Sequence, residues 1–200
     1  MKKYKILAIM GQAGSGKDSL MHSLIKYDFI HNAKPIVSCT TRPIREHEID
    51  GVNYHYLTND EFAEQVLNGE MLEATVFNNW CYGTSIKNLY PDCLNIGVFN
   101  PEGVEILQES KDVDLEVVYI VADDKVRLLR QLNREEHPNC DEIIRRFGTD
   151  KKDFSDARIS AISPDYKLQN NGDKSIDMLA LEFSMAYNVR TNGPLPLGKN

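Results

Sequence analysis

The residues with the clearest chemical meaning are Gly11-Gln12-Ala13-Gly14-Ser15-Gly16-Lys17, followed by Asp18 and Ser19. They come directly after an apolar run, Tyr4–Met10, and directly before a stretch of helical period. In that context the glycines allow successive backbone N–H groups to turn inward around a phosphate. The helix N-terminus adds partial positive charge, and the lysine reaches the outer phosphates. The Ser or Thr that usually follows the lysine and meets Mg²⁺ is replaced by Asp18. A carboxylate here tolerates nearby phosphate only with a metal ion between them, so Asp18 is the candidate Mg²⁺ ligand. The bland alternative is an acid that favours the helix dipole.

A second group of residues points to a second anion. Arg42 and Arg45 stand three apart among Thr40, Thr41 and Pro43, and a guanidinium fork suits a phosphate or carboxylate held bidentately. In a chain of net charge −7 such a ligand must meet a local cluster of cations, and the same charge excludes generic nucleic-acid binding. Arg130 and Arg134 share a helical face at i, i+4, with Arg145 and Arg146 further on. Their alternative is a solvated basic face paired with Glu135, Glu136 and Glu142. The histidines have no metal or catalytic spacing. Cys39, Cys81, Cys93 and Cys140 form no C-x-x-C pair, so neither a zinc site nor a disulfide framework is expected and a reducing cytoplasm fits.

These residues need a scaffold. Two hundred residues, 42% hydrophobic and 26% charged, suffice for one α/β domain with a real core. Apolar runs at Tyr4–Met10, Lys34–Ser38, Leu94–Phe99, Leu115–Val121 and Tyr166–Gln169 alternate with helical patterns near 16–27, 101–110, 124–134 and 174–187. That alternation predicts a parallel sheet with helices on both faces. The pattern changes over 38–89 to short strands (Gly51–Leu57, Met71–Asn78, Trp80–Thr84) around a helix near Asn59–Asn68, which reads as an insertion. Residues 133–153 are strongly polar around a proline and suit an exposed, mobile segment. The expected organisation is one domain over 1–190, with its core at 1–37, 90–132 and 154–190, a lid at 133–153, and a loose tail at 191–200. The first apolar run is too short for a secretion signal or membrane span.

Ser38-Cys39-Thr40-Thr41-Arg42-Pro43-Ile44-Arg45, then Asp50-Gly51-Val52-Asn53-Tyr54, Gly69-Glu70-Met71-Leu72-Glu73 and Tyr82-Gly83-Thr84, recur in order with the phosphate loop. Over residues 4–171 this resembles the guanylate kinase family. The resemblance implies a P-loop NTPase fold with an inserted nucleoside-monophosphate-binding segment and a mobile lid. It also implies Mg²⁺-dependent transfer of the ATP γ-phosphoryl group to GMP or dGMP. By the same resemblance Gly11 through Ser19, Arg130 and Asn170 bind ATP, while Arg42, Arg45, Tyr54 and Tyr82 hold the acceptor phosphate. Glu73 reads guanine with Ser38 and Thr84. Lys17, Arg42, Arg45, Arg134 and Arg146 carry the catalysis. A monomer or homodimer, free of membrane and nucleic acid, is expected.

The match breaks after the third core strand, where the family shows D-x-D-x-Q-G and this chain has Val98-Phe99-Asn100-Pro101-Glu102-Gly103. Asn100 can still accept a hydrogen bond at the acceptor base but carries no charge. The lost acid at Val98 and the gained acid at Asp18 suggest a carboxylate moved from strand end to phosphate loop. Two alternatives stay open: a deoxynucleoside monophosphate kinase of altered base choice, and a guanylate-kinase-like binding module without activity.

Overall fold

The computed structural model describes residues 3–46, 48–77, 79–134 and 136–192, so Met1, Lys2, His47, Asn78 at the end of an expected strand, Glu135 and residues 193–200 of the expected tail lie outside it. In chain order its elements are β1 (Tyr4–Met10), α1 (Lys17–Lys26), β2 (Ala33–Pro35), β3 (Cys39–Thr40), β4 (His55–Tyr56), α2 (Asn59–Leu67), β5 (Met71–Phe77) and β6 (Trp80–Ser85). They continue with β7 (Leu94–Val98), α3 (Pro101–Glu109), β8 (Val113–Val121), α4 (Asp124–Leu132), α5 (Cys140–Asp153), α6 (Asp156–Ile162), β9 (Tyr166–Gln169) and α7 (Ile176–Asn192).

Residues Ile6 through Met10 of β1 are all buried, the signature of a strand covered on both faces. It is central in a five-stranded sheet of order β2-β7-β1-β8-β9, with every pairing parallel. Alternate side chains divide between two layers. Ile6, Ala8 and Met10 pack with Val117 and Tyr119 against Val104 and Leu107 of α3 and Ile162 of α6. Leu7 and Ile9 pack with Ile96, Val118 and Ile120 against Leu20 and Leu24 of α1 and Phe183 of α7. Because β1 has β7 on one side and β8 on the other, the chain leaves β1 at a topological switch point. Ligands of open parallel sheets bind in the crevice at the strand carboxyl ends there, and residues 11–16 lie at that point.

The inserted segment makes its own sheet, of order β4-β3-β6-β5, antiparallel except for the β3–β4 pair. Helix α2 starts at a capping box in which Thr58 and Glu61 each accept a hydrogen bond from the other's peptide N–H. Its Phe62 is buried.

Most of the polar stretch 133–153, for which no helix was read from the sequence, is the 14-residue helix α5. Asn139 caps it by accepting from the Glu142 N–H at 3.0 Å, and acids in its first turn and lysines in its last suit the dipole. The inward stripe is Ile143, Arg146, Phe147 and Asp150, so half of the helical period is carried by charged residues and escapes a hydrophobic count. Helix α6 was likewise not anticipated, β2 covers only residues 33–35, and α7 continues to Asn192.

Leu7 is fully buried at the centre of the β1 layer. Leu7→Ala is expected to destabilise the protein by about 2–5 kcal/mol, read as a lower urea midpoint at unchanged m-value. A midpoint like that of the unmodified protein would show that this layer is not the core.

Candidate active site

The loop between β1 and α1 turns through two glycines in left-handed conformation, Gly14 at φ +78° and Gly16 at φ +102°. Space as well as φ demands them: a Cβ at Gly14 would lie 2.6 Å from the Arg127 carbonyl oxygen, and one at Gly16 2.5 Å from Asn170 Nδ2. The loop carbonyls are held from behind. Arg127 Nε donates to Ala13 O at 3.0 Å, Arg130 Nη1 to Gly14 O at 3.2 Å, and Asn170 Nδ2 to Ser15 O at 2.8 Å. Gln12 O accepts from the Ser15 N–H at 3.1 Å and from Lys17 Nζ at 3.3 Å. A loop whose carbonyls are engaged this way keeps its oxygens off an anion, while the first-turn amides of α1 have no intrahelical acceptor.

Burial lowers the Lys17 pKa, with the charges of Asp18 and Asp150 pulling it back up. Asp18 and Ser19 are exposed in the first turn of α1. Across the cleft the Tyr54 hydroxyl is pushed up to about 12, first by burial and next by the charge of Asp18. Tyr54 of the inserted segment therefore lies within electrostatic reach of Asp18 beside the phosphate loop. Among the described residues no cluster of three or more His, Cys, Asp or Glu could cage a metal. A metal here would rest on few protein ligands and on its substrates' oxygens, as Mg²⁺ typically does.

On the inserted segment Arg42 is 7% exposed. Its Nη1 donates to Pro43 O at 2.7 Å and its Nη2 to Glu48 Oε1 at 2.9 Å, with the guanidinium 5.5 Å from the Tyr54 ring and 5.7 Å from that of Tyr56. Tyr82 meets Tyr54 edge-on at 6.1 Å. Arg42, Tyr54 and Tyr82 are thus brought together. The Arg45 side chain is exposed, and its peptide N–H donates to Glu48 Oε2 at 2.9 Å. Glu48, which also accepts from the Tyr56 hydroxyl at 2.8 Å, was given no role from sequence. Its position three residues after Arg45 was the available signal.

At the other end of this pocket Glu73 on β5 pairs with Thr84 on β6 and is 6% exposed. Burial raises its carboxyl from 4.5 to about 7, with Thr84 pulling the other way and the charge of Glu102 adding to the rise. The turn at Asn100–Gly103 closes on it, since a Cβ on Gly103 would lie 3.3 Å from Glu73 Oε2. Asn100 is engaged at both ends: Oδ1 accepts from the Gly103 N–H at 2.7 Å, capping α3, and Nδ2 donates to Thr75 Oγ1 at 3.1 Å. Thr75 is a further residue missed from sequence. Ser38 lies half-buried at the head of β3, its carbonyl accepting from the His55 N–H at 2.9 Å. Val98 is registered against Ile9 within the main sheet.

The arginines expected in the lid separate by position. Arg130 is joined to Gly14 O and, through Nη2 at 3.2 Å, to Asn170 Oδ1, so both residues stand behind the loop. Arg134 is exposed just beyond α4. Arg145 is taken by Glu142 in a two-point contact at 2.7 and 2.9 Å. Arg146 lies 3.4 Å from Glu142, and its charge acts on Lys17. Arg127, fully buried, and Asp150 beside it were not foreseen.

The guanylate kinase family model matches residues 3–176. The guanylate kinase of Malacoplasma penetrans is 34% identical over 182 residues, 86% of this chain and 84% of its own length. That of Vibrio cholerae is 32% identical over 161 residues, covering 78% and 76%. A solved guanylate kinase from Anaplasma phagocytophilum shares the fold at a TM-score of 0.64, covering 95% of this chain and 88% of that one at 17% identity.

The raised Glu73 carboxyl has a consequence for stability. Between its unfolded value near 4.5 and its folded value of about 7, the native state holds a proton that the unfolded chain releases. Its contribution is therefore complete below the unfolded pKa and lost as pH rises through the folded one, up to about 3 kcal/mol. Urea unfolding from pH 5 to 8 is expected to show this loss in the wild type and not in Glu73→Gln. Parallel profiles would contradict it.

Proposed function

The chain belongs to the guanylate kinase family, and on that footing we propose how its residues transfer the γ-phosphoryl group of ATP to GMP. The observation that carries the reading is the opposition of two anion pockets across one cleft, with Tyr54 of one within electrostatic reach of Asp18 of the other. ATP lies with its phosphates in the loop Gly11 to Ser19 and on Lys17, with the Ala13 and Ser15 N–H groups already given to Asp150 and Gln12. Arg130 and Asn170 serve the donor by holding the carbonyls of Gly14 and Ser15 away from it. GMP or dGMP places its phosphate on Arg42, Arg45, Tyr54 and Tyr82, and its base against Glu73 and Thr84, with Ser38 and Asn100 beside them.

The attacking oxygen belongs to a phosphate already anionic near neutral pH, so no general base is required. Transfer is then a matter of holding the two oxygens in line and stabilising charge on the moving group. Arg134 and Arg146, from the lid segment 133–153, bring cations to that group and exclude water as the lid closes over the inserted segment 38–89. Asp18, with Ser19 beside it, offers the hard oxygen donors that fit Mg²⁺. Such an ion would supply charge compensation for the donor phosphates.

Guanine suits Glu73, because N1–H and the 2-amino group are donors and a buried carboxylate facing a base without them would be left unpaired. Neither alternative is favoured: the relatives compared here are guanylate kinases, and an inactive binding module would have no use for Lys17 in a formed phosphate loop. Among the described residues no helix is long and apolar enough to cross a membrane. The acidic balance and free cysteines suit a cytoplasmic enzyme, acting as a monomer or homodimer.

Incubating the protein with ATP, Mg²⁺ and each of GMP, dGMP, AMP, dTMP and CMP is expected to give diphosphate with the guanine nucleotides, and turnover of only dTMP or AMP would overturn the base assignment. Arg42→Met is expected to raise the GMP KM at least tenfold, the worth of a charge-assisted hydrogen bond of roughly 1.5–3 kcal/mol. Asp18→Ser and Asp18→Ala are expected to shift the Mg²⁺ dependence. Unchanged metal affinity and turnover in both would refute the transfer of the acid from position 98 to 18.

A further inference from the structure

Arg127 and Asp150 form a buried charged pair that the reaction does not obviously require. Arg127 on α4 is fully buried, with its guanidinium 4.8 Å from the Phe147 ring. Its Nε donates to Ala13 O at 3.0 Å, its Nη1 to Gln12 Oε1 at 2.8 Å and Asp124 Oδ1 at 3.0 Å, and its Nη2 to Asp150 Oδ2 at 3.0 Å. The same Asp150 oxygen accepts the Ala13 N–H at 2.7 Å. The residue in the middle of the phosphate loop is therefore gripped at both its N–H and its C=O.

Stability does not account for this arrangement. Withdrawing two charges from water costs about as much as their attraction returns, and apolar residues of similar volume generally serve stability as well or better. What the pair supplies is geometry. Ala13 precedes Gly14, whose left-handed backbone has conformational freedom to spare. Fixing the N–H and C=O of Ala13 removes the rotations by which the loop would lose its phosphate-binding shape. Asp150 belongs to α5, and Arg146 lies one turn earlier on the same helix, where its charge acts on both Lys17 and Asp150. One carboxylate oxygen thus ties the end of the lid helix to the phosphate loop.

We infer that Arg127 and Asp150 are positioning residues for the phosphate donor, fixing the Ala13 peptide so that the loop around it keeps its phosphate-binding shape and registering the lid helix on it. The inference rests on the donor reading given above. Its loss falls on ATP and not on the acceptor, because a preformed loop lowers the ordering cost of binding only the ligand it cradles.

The test compares the wild type with Arg127→Leu/Asp150→Ala and with Asp150→Asn, whose amide oxygen can still accept from Ala13 and Arg127. Melting temperature, calorimetric ATP binding without acceptor, and KM for each substrate are measured. The double variant is expected to melt at or above the wild-type temperature, to bind ATP about tenfold more weakly, and to keep its GMP KM. Asp150→Asn is expected to recover ATP binding to within about threefold of wild type. A folded double variant with wild-type ATP affinity, or one losing ATP and GMP equally, overturns the inference. A double variant that does not fold assigns the pair to stability and overturns it too. Failure of the wild type to bind ATP would instead overturn the kinase reading, and this inference with it.

Discussion

A polypeptide that binds a chain of phosphates must present its amides and turn its carbonyls away, and the rest of this structure depends on that constraint. Three consecutive carbonyls, of Ala13, Gly14 and Ser15, are drawn back by Arg127, Arg130 and Asn170. Those donors come from α4 and from the residue just after β9. They reach the loop because β1, β8 and β9 lie side by side in parallel, so that the carboxyl ends of all three strands converge. The buried run Ile6–Met10 and its two hydrophobic layers hold that convergence in place. Sheet order is in this sense a device for delivering three side chains to the back of one turn.

The second pocket uses a different solution. A guanidinium can receive a phosphate only if its fork is aimed and kept charged, and Glu48 aims Arg42 by taking one arm while Pro43 takes the other. Tyr54 and Tyr56 wall it on the faces. At the base end the polarity is reversed, with a carboxyl buried deeply enough that its ionisation near neutral pH is itself a cost. A base that donates two hydrogen bonds offsets that cost, and one that cannot leaves it standing. Asn100 adds little to this discrimination, since its oxygen and one amide proton are already spent on Gly103 and Thr75. In the proposed function, selectivity rests more heavily on Glu73 than it would in a site with two acids.

Much of this was legible in the residues. The phosphate loop and the parallel sheet follow from local pattern, because each is written in contiguous residues, whereas the grouping of Arg42 with Tyr54 and Tyr82 was implied by the family resemblance. The parts that were not legible involve partners distant in sequence. Asp150 reads as one more acid in a polar stretch until α5 folds and carries it 137 positions back to Ala13. Helix α5 was missed because Arg146 and Asp150 occupy places on its inner stripe where a hydrophobic period would be sought. Arg127 was passed over for Arg130 and Arg134, since burial of an arginine depends on acceptors that only the tertiary structure supplies. The resemblance to guanylate kinases implied Arg130 and Asn170 at ATP; the structure has them holding the carbonyls of Gly14 and Ser15 behind the loop.

The account stands or falls on two anion sites opening into one cleft at a separation that a single phosphate chain can span. Titration with a ligand joining adenosine and guanosine through five phosphates tests this most directly. The expected result is one molecule bound per chain, more tightly than ATP or GMP alone, with affinity lost on Lys17→Met and equally on Arg42→Met. Two molecules bound per chain, or an affinity sensitive to only one of those substitutions, would show that the sites do not face each other as described.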